Sequence, residues 1–599
     1  MTGILDENLR GMATWLKDNV TERNCIFLLV ALFIILSVFV VAEPYDPLYR
    51  DKADASTNVI WTENYSQGVH HIPFDEWEFG PTQSVVIEYN GEYTVVNEKG
   101  PGHAMMLVPF HIMGVEAMFG LLMALLATIA TCMLGKRLFN WRVGFIASAL
   151  VLTNATVIVM WHRYYWTDAS TMHLFILSFW LLIEANYRFN GCSLALGNCS
   201  GTDTKQKLIA LGIGTLSGLA FGASVSTRYP TAILVIAFLV YLKIFYLIRA
   251  WPDFKRRDLI ASFKKTAGFW LLLLAFIIGL LCVLYPLMQY NSEYFGGPFA
   301  SGYDATPLSS FDPIEGISAR NTTTTWTSGL GEGLANAANN FIILLPILIA
   351  RIPILVFAPL GILFLRKKPI LIVLLLIIAV NFYTYMSLAW VDMYARLDMF
   401  RILWEPRYFM PALPVITILG AVGIDGLVKW RRDKPREMVG NPKPVRRETR
   451  MIAGAFIVVC ILLLLGLAPV SNYFMTDGAE GRPPGPGPGD MEVHVVTTDQ
   501  LFTDFFELDN RFVRVENAEI INIDRGMPFV RSPDAQDSRG IPVQFRDWPP
   551  GTVPQFEVGQ TATVQGLFMT LFTPEGPRPI INVKYGTEDY FTILPQRPI

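Results

Sequence analysis

Apolar positions fall into long unbroken blocks up to about residue 470, then into strict alternation near the C-terminus. The blocks lie at 25–42, 104–132, 142–160, 170–187, 207–225, 230–248, 267–289, 340–365, 369–389, 409–428 and 451–470. Each is of about the twenty-residue length that crosses a bilayer core, so the pattern predicts eleven transmembrane helices. Met1–Asn24 is a polar, amphipathic lead-in, and Glu43-Pro44-Tyr45 offers no small-residue cleavage site, so the first block reads as a retained span rather than a signal peptide. Arg482–Asp490, a run of Pro and Gly, reads as a linker within 471–490. Beyond it, 511–523 and 561–569 alternate with period two and 580–583 adds a further strand, which predicts a small all-β domain over 491–599.

Composition agrees with the span count. Hydrophobic residues make up 52% of the 599 positions and charged ones 17%, against about a quarter charged in a soluble globular chain. Charge then sets the orientation. The stretch 249–265 holds six basic residues against two acidic, 429–450 holds nine against three, and Arg366-Lys367-Lys368 marks a third basic turn. All three fall on one side in an eleven-span count, the side that the positive-inside rule makes cytoplasmic. Loop 43–103 is the reverse, three basic against eleven acidic, and Arg320 is the one basic residue between Tyr290 and Asn340. The expectation is a multi-pass cell-membrane protein, N-terminus cytoplasmic and residues 471–599 extracytoplasmic. Loop 187–206 falls on the cytoplasmic side; its Asn198-Cys199-Ser200 triplet would be glycosylated only if that loop lay outside. Cys192 and Cys199 share this loop, where thiols stay reduced, and no cysteine spacing suggests zinc.

In the C-terminal segment, Gly559-Gln560 ahead of a strand reaching Gly566 is similar to the hairpins of OB-type barrels; a β-sandwich is the alternative. OB barrels often bind nucleic acid. From Ser471 onward, however, ten Lys/Arg stand against eighteen Asp/Glu, a balance that repels phosphate backbones. Nucleic acid is therefore not an expected partner; an accessory role over an active site, or contact with cell-surface material, fits better.

Four features carry chemistry-bearing residues on the outer side. The first is the acidic stretch Glu43–Asp54, with Asp46, Asp51 and Asp54. The second is Met160–Asp168, with Arg163 and with Asp168 opening a span. The third is Tyr89–Phe110, where Lys99 and His103 flank Gly100-Pro101-Gly102. The fourth is Tyr290–Tyr303, followed downstream by Trp404–Pro414 with Arg407. Ionisable groups at membrane depth are costly and default to functional candidates, although any one acid could equally be a solvated loop end. A cation beside the Gly-Pro-Gly turn can neutralise a lipid phosphate, or simply anchor the interface.

The order of these pieces resembles the GT-C superfamily of membrane glycosyltransferases, in particular the branch of protein O-mannosyltransferases and the lipid A aminoarabinose transferase. The matching pieces are Gly91-Glu92-Tyr93 with Lys99, Pro101 and Gly102; Asp168; Thr227-Arg228-Tyr229-Pro230; Asn291 with Phe295-Gly296 and Gly302-Tyr303; and Pro406-Arg407-Tyr408. The resemblance covers about residues 25–430 and excludes the C-terminal domain. Gly100 departs from the usual first proline, and the first-loop acid is not fixed among Asp46, Asp51 and Asp54.

What the resemblance implies is an enzyme that moves a sugar from a polyprenyl-phosphate donor to a glycan, protein or lipid acceptor. Asp46, with Asp51 in reserve, would be the general base. Asp168 would orient base or acceptor, and Lys99 with Arg163, Arg407 or His103 would hold the phosphate. Tyr408 and Asn291 would line the substrate site. No metal is required, although an acidic pair could bind Mg2+ or Mn2+. A transporter, which would place ionisable residues within its spans, and a non-catalytic scaffold presenting the β domain are the competing classes.

Overall fold

The computed structural model describes residues 21–42, 54–73, 84–191, 202–302, 352–386, 405–432, 494–498, 512–524, 527–533, 541–546, 557–573, 576–584 and 590–593, with fragments within 337–349 and 458–462. Asp46, Asp51, the 192–201 loop with its two cysteines, and the Pro/Gly linker lie outside these residues. Contacts divide the chain into two units: 1–74, 82–307 and 319–474 in one, and 75–81, 308–318 and 475–599 in the other.

The first unit is helical. Helix α1 (Glu22–Ala42) is followed by α2 (Asp54–Ser66), a short strand β1 (Ile72–Pro73) and the hairpin β2 (Ser84–Tyr89) and β3 (Glu92–Asn97). Then come α3 (Gly102–Ile112), α4 (Ala117–Leu138), α5 (Trp141–Leu152), α6 (Ala155–His162), α7 (Thr167–Asn190) and α8 (Thr204–Thr227). A 3-10 turn at Tyr229–Leu234 leads into α9 (Val235–Lys255) and α10 (Leu259–Phe295). Helices α11 (Ala358–Leu365), α12 (Ile370–Met386) and α13 (Leu413–Arg432) follow, the last entered through a 3-10 turn at Glu405–Ala412.

Among the described residues, five helical segments are long and apolar enough to cross a membrane, or six if the bent pair α5–α6 counts as one span. The chain is a multi-pass membrane protein; the full count of eleven is not reached within the described residues. Among the described residues, several predicted blocks are interrupted, two of them with an identifiable local cause. Block 104–132 breaks at Met113–Glu116, where Gly114 takes φ +66° and His111 Nδ1 pairs with Glu116 Oε1 at 3.0 Å. A left-handed residue ends one helix, and the next starts in a new direction. Block 142–160 bends by 57°, because Asn154 leaves helical geometry and its side chain caps α6, accepting from Thr156 N and Val157 N.

Aromatic packing centres the bundle. Phe238 of α9 lies 5.7 Å from Phe175 and 5.4 Å from Phe179 of α7, 4.9 Å from Phe221 of α8 and 5.5 Å from Phe276 of α10, ring centre to ring centre. Helices α8 and α10 cross so closely that a Cβ on Gly218 or Gly279 would run into the partner backbone, the small-residue contact that membrane helices use to pack. On the outside of the bundle, Trp270, Leu274 and Ile278 of α10 and Ile26, Phe27 and Leu28 of α1 are exposed, as lipid-facing residues are.

Polar contacts gather at the two ends of the bundle. At one, Glu184 of α7 pairs with Arg137 of α4 and, at 2.7 Å, with Arg188. Lys136 meets Glu22, Arg249 of α9 meets Asn190, and Asn140 Nδ2 donates to Asp425 Oδ2 of α13 at 3.0 Å. The ends of α4, α7, α9 and α13 that carry basic residues therefore share one end with the start of α1.

The second unit is all β. Strands β5 (Phe512–Asp524), β6 (Met527–Arg531), β7 (Ile541–Arg546), β8 (Thr561–Thr573) and β9 (Gly576–Lys584) pair in the order β5-β6-β7-β9-β8, and β8 pairs back to β5. The ring closes, as in a small barrel rather than two stacked sheets. Within the ring, pairing is antiparallel except between β7 and β9. Strands β4 (His494–Val495) and β10 (Tyr590–Ile593) flank it. The β5–β8 register shifts between Val515 and Ala518, with Asn517 at φ +52°. This bulge explains why inward positions run Val513 and Val515 and then Ala518 and Ile520.

Candidate functional site

The other end of the bundle is built around the start of α7. Asp168 sits in its first turn, where the unsatisfied N–H groups favour an anion. Its side chain is 1% exposed and is held by two arginines, each 12% exposed. Arg228 Nη1 donates to Oδ1, and Arg407 Nε lies 3.6 Å from Oδ2. Arg228 comes from the extended residue between α8 and the following 3-10 turn (φ −154°, ψ 103°). That geometry lets the chain reverse direction while the side chain reaches across to α7.

Aromatic rings fix both guanidinium planes. Arg407 lies 4.0 Å from the Trp166 ring and Arg228 lies 4.6 Å from the Tyr408 ring and 5.5 Å from Tyr385. Arg407 Nη2 also donates to Tyr408 Oη at 2.6 Å. Arg163 packs on the Trp166 ring too, at 5.5 Å. These cation–π contacts hold a planar cation in one orientation.

Lys99 reaches the same end through a turn. Asn97 Oδ1 accepts from Lys99 N at 3.0 Å, and Gly100 follows at φ +82°. Glycine at 102 allows its backbone to lie against Ser226 at the end of α8, and glycine at 302 packs against the Glu98 backbone. Segments 97–102, 226–229 and 301–302, scattered along the sequence, are thus in van der Waals contact. Lys99 is 6% exposed, Glu98 4% and Asn291 3%. Asn291 Oδ1 accepts from Tyr229 Oη at 3.1 Å.

The stretches that follow the first and third apolar blocks also meet. Asn58 Nδ2 of α2 donates to Tyr165 O at 2.9 Å, three residues before Asp168. Trp61 Nε1 donates to Ser84 Oγ at 3.0 Å, tying α2 to the hairpin. The acidic stretch 43–103 therefore contains a packed helix, with Trp61, Thr57 and Thr62 buried. Asp54 begins that helix; Asp46 and Asp51 lie outside the described residues.

Of the residues singled out in the sequence, Lys99, Arg163, Asp168, Asn291, Arg407 and Tyr408 come together at this end. His103 does not serve as the expected cation. It is 1% exposed, hydrogen-bonded through Nδ1 to Ser170 Oγ at 3.0 Å, and burial, helped by the nearby Lys99 charge, pushes its pKa down to about 3. A neutral imidazole brings no charge to a phosphate. Asp168, expected to orient the base or the acceptor, has both of its oxygens facing guanidinium groups.

Two residues given no role from the sequence turn out to be central. Arg228 could have been suspected as an arginine wedged between an apolar block and a proline at the outer end of a span. Tyr229 gave no such signal. Among the described residues no three His, Cys, Asp or Glu side chains form a metal-holding group. Asp168, already engaged by two arginines, is a poor fit for Mg2+ or Mn2+.

No protein-family profile and no curated protein sequence matches the chain. Solved structures with a similar arrangement are the archaeal oligosaccharyltransferase AglB from Archaeoglobus fulgidus, in complex with an inhibitory peptide and a dolichol-phosphate, and ArnT from Cupriavidus metallidurans bound to undecaprenyl phosphate. Identity to AglB is 13% over 76% of this chain and 56% of that one, with a TM-score of 0.42. Identity to ArnT is 14% over 82% of this chain and 93% of that one, with a TM-score of 0.39. The chain thus covers little more than half the length of the archaeal protein. At these scores the likeness transfers no residue role. Both proteins are membrane glycosyltransferases of the GT-C superfamily, the superfamily that the ordered motifs of this chain resemble.

Proposed function

We propose that the chain transfers a sugar from a polyprenyl-phosphate donor to an acceptor at the outer membrane face, with inversion at the anomeric carbon. The carrying observation is the pair Arg228 and Arg407 held on Asp168 at one end of the bundle, largely screened from water, with the buried Lys99 turn packed through Gly102 on Ser226 at the end of α8, the junction that delivers Arg228. As the glycosidic bond breaks, negative charge develops on the departing phosphate, and preoriented cations in a water-poor site stabilise it. Asp168 holds these two cations in place beside the departing phosphate. Asp46, with Asp51 in reserve, takes the proton from the acceptor hydroxyl. Its loop leads into α2, which Asn58 ties to the turn before Asp168.

The site end is the extracytoplasmic one, because the opposite end collects Arg137, Arg188, Arg249 and the start of α1. The C-terminal ring is an OB-type barrel, extracytoplasmic by the odd span count, with an accessory role.

The test is direct. Purified protein incubated with polyprenyl-phosphate-linked sugars and an envelope extract that supplies hydroxyl acceptors should release polyprenyl phosphate as the sugar passes to the acceptor, both read by mass spectrometry. Lys99→Ala should weaken donor binding with little change in detergent stability. A parent that neither binds nor consumes any such donor overturns the proposal in favour of a non-catalytic scaffold.

A further inference from the structure

Tyr229 follows the extended residue Arg228, so the two side chains leave the chain on opposite sides. Arg228 goes to Asp168, and Tyr229 goes to the Lys99 turn. Its hydroxyl does two things there. It donates to Asn291 Oδ1 at 3.1 Å, which joins the end of α8 to the end of α10. It also fills the space that a side chain on residue 100 would need: a Cβ there would collide with Tyr229 Oη, lie 3.1 Å from its Cζ and 3.5 Å from Leu287 Cδ1. Gly100 adopts φ +82°, which proline cannot reach and other residues reach only under strain.

The turn is closed from its other sides as well. Asn97 caps Lys99 N, the Glu98 backbone lies against Gly302, and Gly102 lies against Ser226. The hairpin leading into the turn packs through Ile87 and Val96 on Tyr290 and Tyr294 of α10.

From this arrangement we infer that Tyr229 is a positioning residue: its hydroxyl, braced by Asn291, is the stop against which the Gly100 backbone rests, and it fixes where the Lys99 ammonium points. The contact geometry stands on its own; its purpose, to aim that ammonium at a lipid phosphate, rests on the function proposed above.

The experiment reads Lys99 itself. Intact detergent-solubilised protein is treated briefly with an amine-reactive reagent, and labelling of the Lys99 peptide is quantified against exposed Lys205 and Lys207. Tyr229→Phe keeps the ring and removes the hydroxyl. It should raise Lys99 labelling about fivefold, the order of one net hydrogen bond, with the reference lysines unchanged. Asn291→Ala should do the same, and the double variant should exceed the larger single effect by little, because the two side chains act as one brace. Undecaprenyl phosphate should protect Lys99 in the parent, and about fivefold more of it should be needed for Tyr229→Phe. Parental labelling of Lys99 in Tyr229→Phe overturns the inference, as does a parallel rise at every lysine with a lower melting point. If undecaprenyl phosphate fails to protect Lys99 in the parent while Tyr229→Phe still unmasks it, the positioning role stands and the donor reading falls.

Discussion

Replacing Asp168 by asparagine removes one negative charge from between two arginines and changes almost nothing in shape. The carboxylate is 1% exposed and the two guanidinium-bearing side chains are 12% exposed, so little solvent enters to compensate. Taking one partner out of a buried ion pair typically costs about 3–5 kcal/mol, because the remaining charge is left desolvated and unmatched. Asp168→Asn should therefore lose stability of that order in equilibrium unfolding in mixed micelles. Arg228→Gln should lose less, since Asp168 keeps Arg407. The triple variant Asp168→Asn/Arg228→Gln/Arg407→Gln, which replaces all three charges by amides, should recover to within about 1–2 kcal/mol of the parent, as neutral replacements of buried charge clusters usually do. Sugar transfer should stay lost in all three. Recovery of stability without recovery of transfer separates the structural cost of the pair from its work on the phosphate. Asp168→Asn with parental stability would refute the ion-pair argument, and a triple variant with parental donor binding would remove both arginines from the site.

Three further outcomes are expected. Asp46→Asn should slow transfer by ~10²–10⁴-fold, the usual contribution of a general base, with Asp51→Asn affected less; a larger loss at Asp51 would move the base to that residue. His103, whose folded-state pKa is depressed to about 3 from an ordinary 6.5, binds its proton in the unfolded chain first. Its contribution to stability is thus complete above pH 6.5 and falls by up to ~1.4 kcal/mol per pH unit on acidification towards pH 3; His103→Asn should flatten that slope, and an unchanged slope would mean that the imidazole is not buried as described. Cysteines placed at Glu63 should react with an impermeant reagent on intact cells and those at Lys205 only after permeabilisation, the reverse result inverting the topology.

Much of the helical framework was legible because lipid imposes a single rule on long apolar blocks. Block 207–225 became Thr204–Thr227 and block 170–187 became Thr167–Asn190. Alternation likewise located β5, β8 and β9. The breaks at Gly114 and Asn154 were hidden, because an apolar stretch keeps its composition on either side of a bend, and only the left-handed φ or the cap reveals it. At the site, the residue types were legible and their partners were not. Asp168 was visible as an acid at a span end, but whether it would meet water, a base or a guanidinium depended on where the junction after α8 carried Arg228. His103 looked like a cation because sequence shows a histidine's proximity to a span and not its depth.

Helix α7 carries an arginine-locked carboxylate near each end, Asp168 at its start and Glu184 sixteen residues on. The two locks lie about 24 Å apart along the axis and on nearly opposite faces. A single-residue insertion between them would turn one carboxylate by about 100° relative to the other and shift it by about 1.5 Å, so one lock could close only at the other's expense. Sequence length between these two acids is thereby frozen, whereas loops beyond them can lengthen freely. In any set of descendants of this chain, insertions and deletions should cluster outside 168–184, and the interval itself should behave as a ruler that evolution can repaint but not resize.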